Sequence, residues 1–268
     1  IRIVTALMTI FFITSYLSAA LIAMGFLLES LFGINYYAGL SVAMFVATTY
    51  TFVGGYYTIA KVDQFQAIFL LLMILIVPLT GLLLLPNGID TIIEQAHIQN
   101  ISLNFIHQSS HLPTEGTAAP AGAFDIILLI LCWGLGYFGQ PHIITKFMGI
   151  KCPDELRKSK YVGMTWQFIT LASAVGVGLV GIGFFEGQLP NPELVFVSMV
   201  KSIFYPIVAG FILCGVLAAN ISTMDSQILV CASVLSEDLY KHIFKKHASD
   251  KELLIISRLG VILVAVTA

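Results

Sequence analysis

Charge is what this sequence has least of. Only 10% of its 268 residues are Asp, Glu, Lys or Arg, 58% are hydrophobic, and the mean hydropathy is +0.93. A soluble domain carries about a quarter charged residues. Too few are present here to cover a water-facing surface, so a membrane protein is predicted. Cysteine is scarce as well. Cys132, Cys152, Cys214 and Cys231 share no C-x-x-C spacing and stand in no Cys-rich loop, which argues for packed free thiols over disulfides or a thiolate metal site. Paired carboxylates, a nucleophile–base pair and a metal cluster are all missing, so an enzyme is not expected. The net charge of −2 gives no reason to expect a nucleic-acid partner. No cleavable leader is expected from the residues given, because an apolar run begins at Ile3 with no basic segment or cleavage site before it. Ile1 is not a start Met, and Ala268 follows Arg258 by ten residues. Ten helical residues cover about half a bilayer core, so the expectation is a fragment of a longer polytopic protein, truncated at both ends.

What the sequence has instead is long uncharged runs. They lie between Arg2 and Glu29, Glu29 and Lys61, Asp63 and Asp90, Asp125 and Lys146, and Lys160 and Glu186. A sixth lies between Lys201 and Glu237, broken only by Asp225, and a seventh begins after Arg258. Each complete run has at least 20 residues, enough to cross a core of about 30 Å as a helix. The fold class is therefore an all-α polytopic membrane protein with six complete transmembrane helices and the start of a seventh. If the helices alternate sides, twelve of the thirteen Lys and Arg fall on one side and only Lys201 on the other. That bias marks the basic side, with the loops 146–160 and 237–258, as cytoplasmic. The longest connection, 86–122, is then external. It holds one amphipathic piece, "IDTIIEQAHI", expected as a surface helix. His107 and His111 lie there four apart, but without a third ligand they read as loop rather than metal site.

Two glycine-rich motifs have different weights. "GVGLVG", Gly176–Gly181, matches G-x-G-x-x-G. It lies inside an uncharged run with no preceding strand, so Ala172, Gly176 and Gly178 are read as helix-packing residues rather than a dinucleotide fingerprint. Gly54-Gly55 reads as a helix end entering a cytoplasmic turn, "GGYYTIAKVDQ", and Pro78 and Pro206 as kinks within apolar helices. "CWGLGYFGQPH", Cys132–His142, is more suggestive. Three glycines alternate with Trp133, Tyr137 and Phe138, and Gln140-Pro141 follow. Such a segment weakens a helix, and discontinuous helices mark substrate sites in secondary transporters. The other reading is a kinked packing helix with interfacial aromatics.

The sixth run carries "LAANISTMDSQILV", residues 217–230. Ala219, Ser222, Thr223 and Ser226 share one helix face, with Asn220, Gln227 and Asp225 flanking it. A carbonyl unshielded at Ala219 and the hydroxyls of Ser222 and Thr223 suit a small, hard, monovalent cation that must also leave. The alternative is that the hydroxyls bond back to carbonyls one turn earlier. Asp225 argues against simple packing, since intramembrane acids face a cavity, a partner or an ion path.

These segments, with "LFGINYY", "GGYYTIAKVDQFQA", "WGLGYFGQPHIITKFM", "MTWQFITLASAVGVG" and "AANISTMDSQILVCASVLSEDLYK", resemble the sodium/solute symporter family, most closely its bacterial sodium/proline branch. The resemblance implies a partial LeuT-like inverted-repeat fold, with 1–268 a single transporter domain covering core helices three to eight and the start of nine. It implies that the Ala219 carbonyl, Ser222 and Thr223 are half of a sodium site. It likewise implies that Tyr16, Trp133, Tyr137 and Pro141 line the solute pocket; Asp225 and Gln140 are, apart from the resemblance, candidates for ion-path or tuning residues. The matching first core helix is absent from the sequence. The activity implied is sodium-coupled symport of L-proline or a similar small zwitterion across a cell membrane, with sodium co-transported. Other solutes of the family, such as pantothenate or a carboxylate, and a sensory membrane domain of a histidine kinase are the alternatives.

Overall fold

The computed structural model describes residues 1–103, 123–187, 189 and 191–268. His107 and His111, with most of the expected external loop, lie outside the described residues. Among the described residues no strand occurs, and the regular elements are helices.

Helix α1 spans Arg2–Phe32, and its uncharged sequence leaves the backbone to satisfy itself through helical hydrogen bonds. It ends because Gly33 adopts a left-handed conformation (φ 65°, ψ 19°) and donates its N–H to Glu29 O at 2.9 Å. Two residues later the Asn35 side chain accepts the N–H of Tyr37 at 2.9 Å and starts α2, Tyr36–Leu84. α2 has 49 residues, which at 1.5 Å each is about 74 Å, more than twice a bilayer core. It is two helices joined at Gly55, whose φ of 58° and ψ of −169° fall in a region essentially reserved for glycine. The cytoplasmic turn expected over "GGYYTIAKVDQ" shrinks to this one residue. Gly55 alone breaks the helical path, so Lys61 and Asp63 stand on a helix and not in a loop.

The remaining elements are α3 (Ile89–Ile98), α4 (Ala123–Phe138), α5 (Pro141–Met148), α6 (Glu155–Phe185), α7 (Val195–Ile203), α8 (Pro206–Ser233), a π-helix (Val234–Phe244) and α9 (Asp250–Thr267). Among the described residues four helices, α1, α2, α6 and α8 with the π-helix, are long and apolar enough to cross a membrane, or five if the interrupted pair α4–α5 is one span. Dividing α2 at Gly55 brings the total to the six expected spans, with α9 as the start of a seventh. Pro206 does not kink a helix as expected. It opens α8, at the position where its missing N–H leaves no bond unmade.

The chain forms two compact units. The first comprises Ile1–Leu70, Pro141–Gly149 and Cys214–Ala268. Its core is Leu17, Leu21 and Met24 of α1, Ala47 of α2, and Met224, Ile228 and Cys231 of α8, all no more than 2% exposed. Small residues allow close approach. A Cβ on Gly25 would stand 2.6 Å from the Tyr36 ring, and one on Gly260 3.3 Å from Ala232 Cα. Arg2 joins Asp238 of the π-helix at 2.8 Å. At the C-terminal end Ser249 caps α9 by accepting the Glu252 N–H at 3.3 Å. The Glu252 carboxylate then accepts from Tyr240 Oη (2.6 Å) and Lys245 Nζ (2.8 Å). Those bonds hold its carboxyl below the usual carboxylate range, Lys245 first and Tyr240 second, and they raise Lys245 in turn.

The second unit comprises Leu71–Gln140 and Ile150–Leu213. α3 is the amphipathic piece read from the sequence, and it buries Ile92 and Ala96. Ile92 and Leu85 meet α6 at Gly183, where a Cβ would come within 3.1 Å and 3.2 Å of them. Gly181 lies against Val195 of α7, and Gly176 faces Pro78 at 3.7 Å. The "GVGLVG" segment is thus helix and packs as expected at Gly176. Ala172 and Gly178 do not pack: both are exposed, and nothing lies within 4 Å of a Cβ on Gly178. The tight contacts fall on Gly181 and Gly183 instead, one and one and a half turns further along.

Candidate functional site

The polar stretch of α8 faces the interior of the first unit. Thr223 Oγ donates to the Ala219 carbonyl at 3.2 Å, and Ser226 Oγ to the Ser222 carbonyl at 3.0 Å. Both hydroxyls therefore make the backbone bonds that the sequence left as an alternative. The Thr223 bond also sets the hydroxyl and the Ala219 carbonyl side by side, two of the three oxygens of the expected cation site. The third, Ser222 Oγ, is turned to the Asp63 carboxylate and donates to its Oδ1.

Asp63 is the residue that sequence reasoning missed. Its other oxygen accepts from Lys146 Nζ at 2.7 Å, and the Asp63 side chain is 15% exposed. Asp63 stands two residues from Lys61 at the edge of an apolar run, where a charge reads as a loop marker. The helix that continues through it carries it back to Ser222, 159 positions away in sequence. Lys146 belongs to α5 and is fastened a second time, since Tyr56 Oη donates to its carbonyl at 3.4 Å. The Tyr56 ring reaches this point because residue 149 is glycine; a Cβ there would collide with the Tyr56 hydroxyl.

Asp225 is 2% exposed, and its Oδ1 has no hydrogen-bond partner among the described residues. Gln227 is completely buried, and both its amide atoms are unpartnered among the described residues. An unmet buried polar group costs about 1–3 kcal/mol, so this face of α8 is built to hold polar matter. The Asp63 carboxylate, the hydroxyls of Ser222, Thr223 and Ser226 and the Ala219 carbonyl form an oxygen-rich array, with the ammonium of Lys146 beside Asp63. Its donor chemistry fits a monovalent hard cation at Ala219, Ser222 and Thr223, with Asp63 orienting Ser222.

The expected solute residues divide between the two units. Tyr16 and Pro141 belong to the first. The Tyr16 ring lies 6.2 Å from that of His142, the residue after Pro141. Trp133 and Tyr137 are on α4 in the second unit and are 71% and 47% exposed. The helix interruption read from "CWGLGYFGQPH" is present. α4 ends at Phe138, the Gly139 and Gln140 amides close a tight turn on Gly136 O (3.1 Å) and Tyr137 O (3.4 Å), and α5 begins at Pro141. Gln140 is half-buried in that turn. Among the described residues no neighbour stands within 4 Å of a Cβ on Gly134 or Gly136.

Comparison with known proteins follows the same lines. The sequence pattern of the sodium:solute symporter family matches residues 1–268. Sodium/proline symporter 2 of Staphylococcus saprophyticus is 40% identical over 274 residues, covering 100% of this chain and 51% of that protein. The sodium/proline symporter of Staphylococcus aureus is 38% identical with the same coverage. The chain thus spans about half the length of the curated relatives it matches. Among solved structures, a Na+-coupled sialic acid symporter in a substrate-bound outward-open state superposes with a TM-score of 0.78 at 16% identity, over 98% of this chain and 56% of that one. The helical architecture is therefore the LeuT-like one expected from the sequence.

Proposed function

The chain belongs to the sodium:solute symporter family, and from that premise we propose that it forms the core of a protein importing L-proline or a similar small zwitterion together with sodium. The observation that carries this reading is the α8 oxygen set, Ala219 O beside Thr223 Oγ with Ser222 Oγ fixed by Asp63. A sodium ion taken up there as co-substrate exchanges the Thr223–Ala219 bond for two ion contacts, and the remaining ligands come from the part of the protein outside this sequence. Neutral oxygens bind sodium loosely enough for release. By the family resemblance the solute is handled by Tyr16 and Pro141 of the first unit and by Trp133 and Tyr137 of the second, and the α4–α5 interruption at Gln140 is of the kind that marks substrate sites in secondary transporters. Asp225, buried with Oδ1 unpartnered among the described residues, is a candidate ion-path or tuning residue.

Sidedness follows the basic residues, with loops 146–160 and 237–258 in the cytoplasm of a plasma or inner membrane. The salt bridge between Arg2 and Asp238 supports this reading, since it keeps the start of α1 beside the π-helix. The membrane potential then drives entry by about 2.3 kcal/mol per charge per 100 mV. The test is uptake of radiolabelled proline by cells or vesicles bearing the full-length protein, in sodium against choline. Sodium-dependent uptake inhibited by excess unlabelled proline is expected. Sodium-driven uptake of pantothenate or a carboxylate, with proline inert, would move the protein to another solute; no sodium effect on any solute would reject the reading.

A further inference from the structure

We propose that Arg2, Asp238 and His242 form a proton-sensitive latch between the start of α1 and the π-helix, closed while His242 is neutral and released when it takes up a proton. The latch goes beyond the symport reading and does not depend on which solute is carried. Nothing in the sequence points to it, since Arg2 and His242 stand 240 positions apart. In the structure Arg2 opens α1, and its guanidinium reaches two side chains of the π-helix at once. Its Nε donates to Asp238 Oδ1 at 2.8 Å, and its Nη1 meets His242 Nε2 at 2.6 Å.

These contacts fix the state of the imidazole. A guanidinium carries only donors, so His242 Nε2 must accept. Nδ1 lies 2.9 Å from the Glu237 carbonyl oxygen, which only accepts, so Nδ1 must donate. The ring is therefore the neutral Nδ1–H tautomer, and a second proton leaves no lone pair for Arg2. It also sets a new cation against the guanidinium. Asp238 stands four residues before His242 on the same helix, so an imidazolium competes with Arg2 for its carboxylate. Both effects loosen Arg2. The surrounding charges do not replace what is lost. Lys241 is taken by Glu237 at 2.9 Å. On α9, Glu252 is bound by Tyr240 and Lys245, and Arg258 lies over the Phe52 ring at 5.3 Å. Asp250 and Lys251 make no hydrogen bond or ion pair with His242 among the described residues.

Position suits the device. His242 is exposed, and the Arg2 and Asp238 side chains are 58% and 31% exposed. Protons reach the latch from water, and an exposed pair is held weakly enough for one proton to open it. Histidine is the side chain whose charge changes between pH 5 and 8. The π-helix follows α8 without a break. The latch therefore acts on the far end of the helix that carries Ala219, Ser222 and Thr223.

The full-length protein, melted in detergent at pH 8 and at pH 5.5, tests this. Both values lie above the range in which the lowered Glu252 carboxyl takes up a proton. Arg2→Ala, His242→Ala and the double variant form a cycle in which the pH effects of all other groups cancel. At pH 8 the double variant is expected to lose less in melting temperature than the two single variants together, by about 1–2 °C. At pH 5.5 that difference should vanish or change sign. A difference equal at both pH values overturns the latch, and so does its absence at pH 8. Should a variant fail to reach the membrane, nitroxide labels read the same contact directly. They are carried by Ile3→Cys and Ile243→Cys, both exposed positions on helices that pack together, in a background otherwise free of cysteine. Their mutual spectral broadening should fall reversibly from pH 8 to pH 5.5. Adding His242→Gln, which keeps an acceptor for Arg2 but takes up no proton, should abolish that change. Broadening that ignores pH, or a change that persists with His242→Gln, overturns the proposal.

Discussion

Thr223 donates to Ala219 O in the structure, yet an isosteric valine would fill its place on α8 with little change in packing. That makes it a clean probe of the ion site. Thr223→Val in the full-length protein is expected to raise the sodium concentration for half-maximal uptake by about tenfold, or about 1.4 kcal/mol, at normal membrane abundance; sodium titration of uptake measures it. Asp63 allows a test of a different kind. Removing it by Asp63→Ala strands the Lys146 ammonium and frees the Ser222 hydroxyl, and breaking a partly buried pair at one end costs about 1–3 kcal/mol. Adding Lys146→Met to Asp63→Ala is expected to restore at least half of the lost thermal stability in detergent, because the stranded charge is gone, without restoring uptake. The hydroxyl pair was legible in the sequence because Ser and Thr beside an acid stand out in an apolar run. Asp63 was not, because a charge between two apolar runs looks the same whether it ends a loop or continues a helix.

At the scale of elements, breaks decide more than propensities. Gly55 occupies backbone space closed to other residues, so Gly55→Ala is expected to cost about 1–3 kcal/mol and to lower the melting temperature in detergent. The surrounding space is open to a Cβ, so the loss would come from the backbone and not from a clash. The interruption at Gly139–Pro141 was foreseeable because both residue types argue against a continuous helix there. The position of Pro206 was not, because an apolar run shows no seam between α7 and α8. The clamp between α9 and the preceding segment carries a pH dependence of determinate sign. Glu252 is held below the usual carboxylate range by Lys245 and then Tyr240, so its contribution is complete above the unfolded value of about 4.3. It is lost as pH falls through the lowered folded value. Lys245, raised by the same carboxylate, contributes below its unfolded value and loses that only as pH rises through its raised one. The clamp should hold from about pH 5 to 10 and loosen below. Thermal melts across acid pH, compared with Glu252→Gln, measure this; the variant should lose the acid-side slope.

At the scale of the molecule, charge distribution and run length were sufficient to read the number of spans and the fold class, because lipid leaves a chain few options. They could not show that the chain divides into two units, since no composition shift or linker marks the boundaries. Sidedness has a direct check in Cys152, which is exposed in the connection between α5 and α6. With the other cysteines replaced by alanine, a membrane-impermeant thiol reagent should label Cys152 in inside-out vesicles and not in intact cells. The reverse pattern would invert the topology. The π-helix Val234–Phe244 bears on how this chain tolerates changes in length. Its i→i+5 bonding takes up one more residue per hydrogen-bonded turn than the i→i+4 bonding of α8. A single-residue deletion within it can be absorbed by relaxing to ordinary winding, while the same deletion in α8 would rotate Ala219, Ser222 and Thr223 out of register with Asp63. Among homologous chains, insertions and deletions of one residue should therefore collect after Ser233 and be purged before it.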